Sequence, residues 1–256
     1  MLRPHTLKIM LTEKLIKTIA KTSGEYGTIE PDDKIMVAVS GGKDSYGLLF
    51  LLNQLKRRLP FSIDIIALHV AQGQPGVDPT PLIDWLKGSG IAFEIAEEDT
   101  YSVVQRNLKP GGTPCSICSR LRRGIIYTRA EKHGCNKVAL GHHREDTIAT
   151  FMMNLFYAGK LQAMPAKYTT DDGRFQVIRP MLEVAEADLI ALQEQEQFPI
   201  VPCALCSGQE DHKRRYVNEL LDAVEHTHPT LRNVMLGALK HVNPSHLLDA
   251  TVKREK

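Results

Sequence analysis

Val37-Ala38-Val39-Ser40-Gly41-Gly42-Lys43-Asp44-Ser45 takes an apolar strand into a glycine pair and then into a helix. Residues 34–39 are β-branched and apolar enough for a buried parallel strand, while residues 46–59 carry apolar side chains at helical spacing and stop at Pro60. At such a junction the helix start offers unpaired backbone N–H groups and the positive end of its dipole, and glycine lets an anion approach the backbone closely. Ser40, Ser45 and Lys43 add donors and charge, so residues 40–45 read as a nucleotide-phosphate loop. The spacing is not the G-x-x-x-x-G-K-S/T of a kinase or GTPase loop, because Asp44 follows Gly42-Lys43 where that motif requires a hydroxyl. An ordinary strand-to-helix turn is the competing reading, since glycine and serine are common in turns.

Outward from this loop, residues 63–70, 91–96, 136–140 and 175–179 read as further strands. Residues 79–87 read as a helix between strands, and residues 185–197 as a helix leading to the second pair of cysteines. Strands separated by helical segments predict an α/β fold, a doubly wound and mostly parallel sheet with right-handed crossovers. In such sheets ligands gather at the carboxyl ends of the strands, and Ser40, Val70 and Gly141 all stand at such ends. An amphipathic helix with a basic face is expected over residues 7–21, ended by Gly24 and Gly27, and residues 216–225 and 231–240 are expected as closing helices. The expected organisation is a basic N-terminal helix in 1–30, the nucleotide domain in 31–200, and a cysteine-bearing helical segment in 201–256.

With 256 residues, 43% of them hydrophobic and 24% charged, the chain has the composition of one large globular α/β domain plus an appendage rather than of a disordered protein. Because 32 Lys and Arg face 30 Asp and Glu, a nucleic-acid surface has to come from local clustering and not from net charge. No apolar run approaches the roughly 20 residues of a membrane span, and the first residues lead into a charge-interrupted helix, so a cytoplasmic protein without membrane attachment is expected.

Five cysteines in a reducing compartment argue for metal or catalytic use. Four of them form two C-x-x-C pairs, Cys115-Ser-Ile-Cys118 and Cys203-Ala-Leu-Cys206, each preceded by proline. A C-x-x-C turn brings two thiolates within reach of one soft metal, and a second pair can complete a tetrahedral set. Spacing leaves a structural zinc site and an iron-sulfur cluster both open, with a redox pair a weaker third reading. Cys135 precedes a strand and is expected in the core. Arg120, Arg122 and Arg123 follow the first pair, and Lys213, Arg214 and Arg215 follow the second, so each pair has a basic cluster downstream that suits a polyanion.

Ser-Gly-Gly-Lys-Asp-Ser resembles the pyrophosphate loop of the ATP pyrophosphatases, the PP-loop superfamily, which adenylate a substrate and release pyrophosphate. Together with Pro-Cys-Ser-Ile-Cys-Ser-Arg-Leu-Arg-Arg-Gly, Leu-Gly-His-His-Arg-Glu-Asp and Pro-Cys-Ala-Leu-Cys, it makes nearly the whole chain similar to the tRNA 2-thiocytidine synthetases, the TtcA family. The resemblance implies that Ser40, Gly41, Gly42, Lys43, Asp44 and Ser45 hold the ATP phosphates, with Asp44 also on magnesium. The adenine would lie around His69 and Val70, with Gly141 at the neighbouring strand end. It further implies a 4Fe-4S cluster on Cys115, Cys118 and Cys206, one iron being left open to carry sulfide. ATP would adenylate the C2 oxygen of the cytidine that opens the anticodon loop, position 32, and the sulfide would then displace AMP. Lys43 would neutralise charge on the departing pyrophosphate. Asp146 matches an acidic position near the substrate in related thiouridine enzymes, and Arg122 stands where those enzymes have a catalytic lysine. Arg120, Arg123, Lys213, Arg214 and Arg215 are candidates for tRNA phosphates. A cysteine desulfurase as sulfur donor and a homodimer are implied by the family as well.

Milder readings accompany these. A buried histidine such as His69 is often a packing residue. Asp146 at a helix start complements the helix dipole. Phe156 and Tyr157 could stack on a base, but core packing is the expectation. For the whole chain, the alternatives are another adenylating tRNA-modifying ligase with a structural four-cysteine zinc site, and a non-catalytic regulator that binds ATP and RNA.

Overall fold

The computed structural model describes residues 4–108, 114–202 and 212–248. Its strands are β1 (Lys34–Ala38), β2 (Asp64–Ala71), β3 (Ala92–Glu97), β4 (Lys137–Ala139), β5 (Lys167–Thr169) and β6 (Gln176–Ile178), in one sheet of order β3-β2-β1-β4-β6-β5. Every pairing is parallel except that of β5 with β6. The helices are α1 (Pro4–Tyr26), α2 (Lys43–Lys56), α3 (Thr80–Ser89), α4 (Thr100–Asn107), α5 (Pro114–Lys132), α6 (Arg144–Met153), α7 (Glu186–Glu196), α8 (His212–Thr227) and α9 (Leu231–Lys240). The expected doubly wound, mostly parallel sheet is therefore the observed one.

Alternation along the central strands explains why both sheet faces are covered. Ile35 and Val37 of β1, with Ile65 and Ala67 of β2, join one cluster that includes Leu15 and Ile19 of α1, the leucines of α2, and Leu189 and Leu192 of α7. Met36, Ile66, Leu68 and Val70 enter a second cluster with Ile126 and Ala130 of α5. Side chains of a strand point alternately to opposite faces, so two unbroken apolar strands need a helix layer on each side. Cys135 is in the second cluster, as expected of a free cysteine, and burial pushes its thiol pKa up. The order of strands reverses between β1 and β4, the two strands flanking the point where a ligand crevice is expected.

Several boundaries differ from the sequence expectation. Helix α1 runs through Gly24 and ends at Gly27, which adopts φ +59. Its basic face is partly tied down on α7 through Lys14 and Asp188, 2.8 Å apart. The antiparallel edge strand β5 had no recognisable pattern, since it has three residues and none is buried. Helix α4 starts at an N-cap, Asp99, whose carboxylate accepts from the Ser102 N–H at 3.0 Å.

By internal packing the chain divides into two compact units, residues 1–143 with 165–212, and residues 144–164 with 213–256. The first contains the sheet. The second has its own small core, in which Ile148 and Ala149 of α6 meet Val217 and Leu221 of α8, with Met152, Met153, Leu231 and Met235 packed around them. Among the described residues, no helix is long and apolar enough to cross a membrane.

Candidate active site

Between β1 and α2 the chain turns at Gly41, whose φ is +91. A Cβ there would stand 2.9 Å from the Cβ of Val201 and 3.3 Å from its carbonyl oxygen, so glycine is required by conformation and by space together. At Gly42 the nearest atom to an added Cβ is the Ser40 Oγ at 3.6 Å, an ordinary contact. Gly41→Ala is therefore expected to destabilise the protein by roughly 1–2 kcal/mol or more through the left-handed backbone alone, with Gly42→Ala costing less. Urea denaturation of the two variants measures the difference.

The loop is held by its own serines. Ser45 Oγ accepts from the Ser40 N–H at 3.1 Å and donates to the Gly42 carbonyl at 2.8 Å, with the Ser40 hydroxyl 3.2 Å away. Gly42 caps α2 without a side-chain hydrogen bond, leaving the positive end of the helix directed at the loop. From the neighbouring strand end, Gly141 comes so close that a Cβ would lie 3.0 Å from the Asp44 carbonyl oxygen and 3.2 Å from the Ser45 nitrogen. The end of β4 and the start of α2 thus touch at the point where strand order reverses.

Lys43, Asp44 and Glu186 form the charged part of this loop. The Lys43 ammonium is 2.7 Å from Glu186 Oε1 and 3.2 Å from Asp44 Oδ1. Burial opposes the charged form of Lys43, but the two carboxylates more than offset it and its pKa is raised. His143, buried, places Nε2 3.9 Å from each of these carboxylates. Glu186 went unnoticed in the sequence, where an acid at the start of a helix reads as a dipole partner. Two carboxylates around one ammonium supply the hard oxygen donors that magnesium takes, and the ammonium and helix start suit a polyphosphate.

A cavity of about 450 Å³ opens beside the loop, lined by Ser40, His69, Val70, Gln72, Glu98 and Pro202 among others. His69 is packed as well as lining: its Nδ1 lies 2.9 Å from the Val39 carbonyl oxygen. Burial lowers its pKa, the Val39 carbonyl opposes this, and the nearby Arg122 guanidinium lowers it further. His69 is therefore neutral at neutral pH and donates from Nδ1 to Val39. Since the unfolded chain takes up this proton more readily, the stability tied to His69 is present above about pH 6.5 and is lost as pH falls through the lower folded value. A Tm profile from pH 8 to 5 should flatten in His69→Gln.

Helix α5 brings Cys118 against one residue of this cavity's wall. Cys118, buried, has its Sγ 3.1 Å from Gln72 Oε1, and Gln72 lines the cavity. Cys115 is the second residue of α5, one turn before Cys118. A helix start stabilises thiolate, and positions a turn apart suit a shared soft metal. One turn beyond Cys118, the Arg122 Nε is buried without a hydrogen-bond partner, an orphaned donor of the kind that an anionic ligand satisfies. Arg120 and Arg123 are exposed. Cys203 and Cys206 lie outside the described residues, yet the chain leading to them is fixed: the Val201 N–H donates to the Gly41 carbonyl at 3.0 Å, the Tyr46 hydroxyl donates to the Pro199 carbonyl at 2.7 Å, and Pro202 lines the cavity. Among the described residues there is no group of three His, Cys, Asp or Glu side chains arranged for a metal.

The remaining predicted residues belong to the second unit. Asp146 stands in the first turn of α6, where it accepts from Arg214 at 2.8 Å, so one candidate phosphate contact is in ion pair with the candidate acid or base. Lys213 lies over the Tyr157 ring, 4.9 Å from its centroid, and Arg215 is 3.8 Å from Glu219. Phe156 and Tyr157 are exposed, at 45% and 46%, which corrects the expectation of core packing. They lie on a π-helical turn (Asn154–Ala158) that continues α6 and displays them outside its packed face.

A family model described as a PP-loop domain matches residues 11–201. The chain is 48% identical over 239 residues to a tRNA-cytidine(32) 2-sulfurtransferase of Bordetella pertussis, covering 93% of this chain and 75% of that one. To the tRNA-cytidine(32) 2-sulfurtransferase of Neisseria meningitidis it is 46% identical over 239 residues, with the same 93% and 75% covered. Among solved structures it is similar in fold to the U34-tRNA thiolase NcsA from Methanococcus maripaludis, described with its 4Fe-4S cluster, at a TM-score of 0.70 and 23% identity over 93% of this chain and 81% of that one.

Proposed function

Because the chain belongs to the PP-loop family and, within it, to the tRNA-cytidine(32) 2-sulfurtransferases, we propose that it uses ATP to replace the C2 oxygen of an anticodon-loop cytidine by sulfur. The observation that carries this reading is the meeting of two chemistries at one cavity. Ser40 of the loop lines it, Cys118 donates to Gln72 on its wall, and Val201 and Pro202, which lead towards the second cysteine pair, line it as well, with Val201 bonded to Gly41.

The C2 carbonyl is a poor electrophile, so its oxygen first attacks the α-phosphorus of ATP and pyrophosphate leaves. Sulfide then adds at C2, and AMP departs with the former carbonyl oxygen. Lys43 and the N-terminus of α2 bind the phosphates and stabilise charge on the leaving pyrophosphate. Asp44 and Glu186, the partners of Lys43, would hold magnesium, and the Lys43 ammonium would then turn to the phosphates. The buried Arg122 Nε–H is placed to donate to an anion in the cavity region, while His69 stays neutral and orients the wall through Val39. Cys115, Cys118 and Cys206 would hold a 4Fe-4S cluster, whose chemistry when bound is to present sulfide at an open iron position. A cysteine desulfurase as the source of that sulfur, and a cytoplasmic homodimer as the working form, follow from the same family reading.

Anaerobic purification with iron, sulfide and zinc counted on one sample, together with absorption and EPR spectra, is the direct test. Iron and sulfide in cluster ratio, lost in Cys206→Ala, is the expected result. Zinc alone without visible absorption would return the cysteines to a structural role and leave an adenylating ligase. Arg123, exposed on α5, is assigned to tRNA phosphate, so Arg123→Ala should weaken tRNA binding and reduce the slope of log affinity against log salt by about one. An unchanged slope removes it from the interface.

A further inference from the structure

The aromatic residues of this protein divide into two populations. Tyr46, Trp85 and Phe198 pack on one another in the core of the first unit, and Tyr127 stacks on Phe175. Phe156 and Tyr157 instead face solvent, their rings edge to face with centroids 6.4 Å apart. A large ring left in water gives up burial free energy, and a contiguous exposed apolar patch rimmed by polar groups marks a contact surface.

The backbone beneath the two rings is pinned rather than loose. Gly159 adopts φ +61, its N–H and that of Lys160 both bond the Asn154 carbonyl, and the Asn154 side chain donates to the Gln162 carbonyl at 2.7 Å. The π turn closes α6 and is itself closed by Gly159, so the two rings stand on a turn held by its own hydrogen bonds. The surroundings are cationic: Lys213 sits on the Tyr157 ring, Arg214 and Arg215 follow it, and Tyr216, on α8 one turn beyond Lys213, is exposed as well. Rigid aromatic rings beside a row of cations fit one class of ligand, single-stranded nucleic acid, whose bases stack on the rings while its phosphates meet the charges.

We propose that Phe156 and Tyr157 are a stacking platform for unpaired bases of the tRNA anticodon loop, with Lys213 and Arg215 on the adjoining phosphates. This rests on the tRNA reading given above and adds the place where the loop is held open. A base buried in a stacked loop is out of reach of chemistry at C2, and a displaced neighbour must be received somewhere.

The test uses an anticodon stem-loop RNA carrying 2-aminopurine beside the target cytidine, titrated with the full chain without ATP. The unaltered protein is expected to quench the fluorophore on binding. Phe156→Ala and Tyr157→Ala should each weaken binding about tenfold, and the double variant should lose the quench, with no change in salt slope because no phosphate contact is removed. Phe156→Tyr and Tyr157→Phe, which keep a ring, should retain affinity and quench. Equal affinity and quench in the alanine variants would overturn the platform and leave the tRNA reading standing. Failure of the unaltered chain to bind the RNA would overturn both. A dimer that becomes monomeric in the alanine variants on sedimentation, with RNA affinity unchanged, would make the patch a face between copies and sink the proposal.

Discussion

Lys43→Ala is expected to lower kcat/KM for ATP-dependent AMP formation by about 10²–10³-fold, the usual loss when one preorganised charge is removed from a leaving group. In the proposed function phosphate arrives at this ammonium, which lies 2.7 Å from Glu186 and 3.2 Å from Asp44, and those carboxylates raise its pKa against the pull of burial. Removing it leaves two carboxylates facing the incoming polyphosphate, so ATP affinity should fall along with kcat. Glu186→Gln provides the contrast. It frees Lys43 from one partner and, in the proposed site, takes away one oxygen donor for magnesium, so the magnesium concentration needed for half-maximal rate should rise. Pyrophosphate release followed at several magnesium concentrations separates the two variants. An unchanged rate in Lys43→Ala would remove the lysine from the leaving-group side of the reaction.

Cys118→Ala should bring 2-thiocytidine formation to background, read by mass spectrometry of digested tRNA, while ATP still binds. The thiol lies against Gln72 of the cavity wall, and the loop proposed for the phosphates is built from a different strand and helix. Iron content should fall with the thiolated product, and the far-UV circular dichroism should not change. If Cys118→Ala instead unfolded the chain, the cysteines would be holding the fold together and the zinc alternative would gain.

The central strands were legible because β1 and β2 have both faces buried and announce themselves as unbroken apolar runs. The turn between β1 and α2 was legible because a glycine pair flanked by serines follows an apolar strand and precedes a helical run. Residues that complete the site were not: Glu186 is far from Lys43 in sequence, and an acid in the first turn of a helix is already explained by the dipole. Gln72 reads as one polar residue in a turn-rich loop, and only the fold puts its amide oxygen on Cys118. For Phe156 and Tyr157 the sequence pointed the wrong way, since a ring in an apolar run looks the same whether it faces a core or water. Only the π turn separates the cases, and it follows from how α6 ends.

The hydrogen bond from Val201 to Gly41 makes the phosphate loop and the arm leading into the second cysteine pair parts of one equilibrium. If bound ATP favours a group held by those cysteines through this link, that group must favour ATP binding by the same factor. The enzyme with its cysteines loaded and the enzyme stripped by a chelator should therefore differ in ATP Kd by the ratio in which ATP protects the loaded group from the chelator. Each ligand would then report on the presence of the other, whichever arrives first.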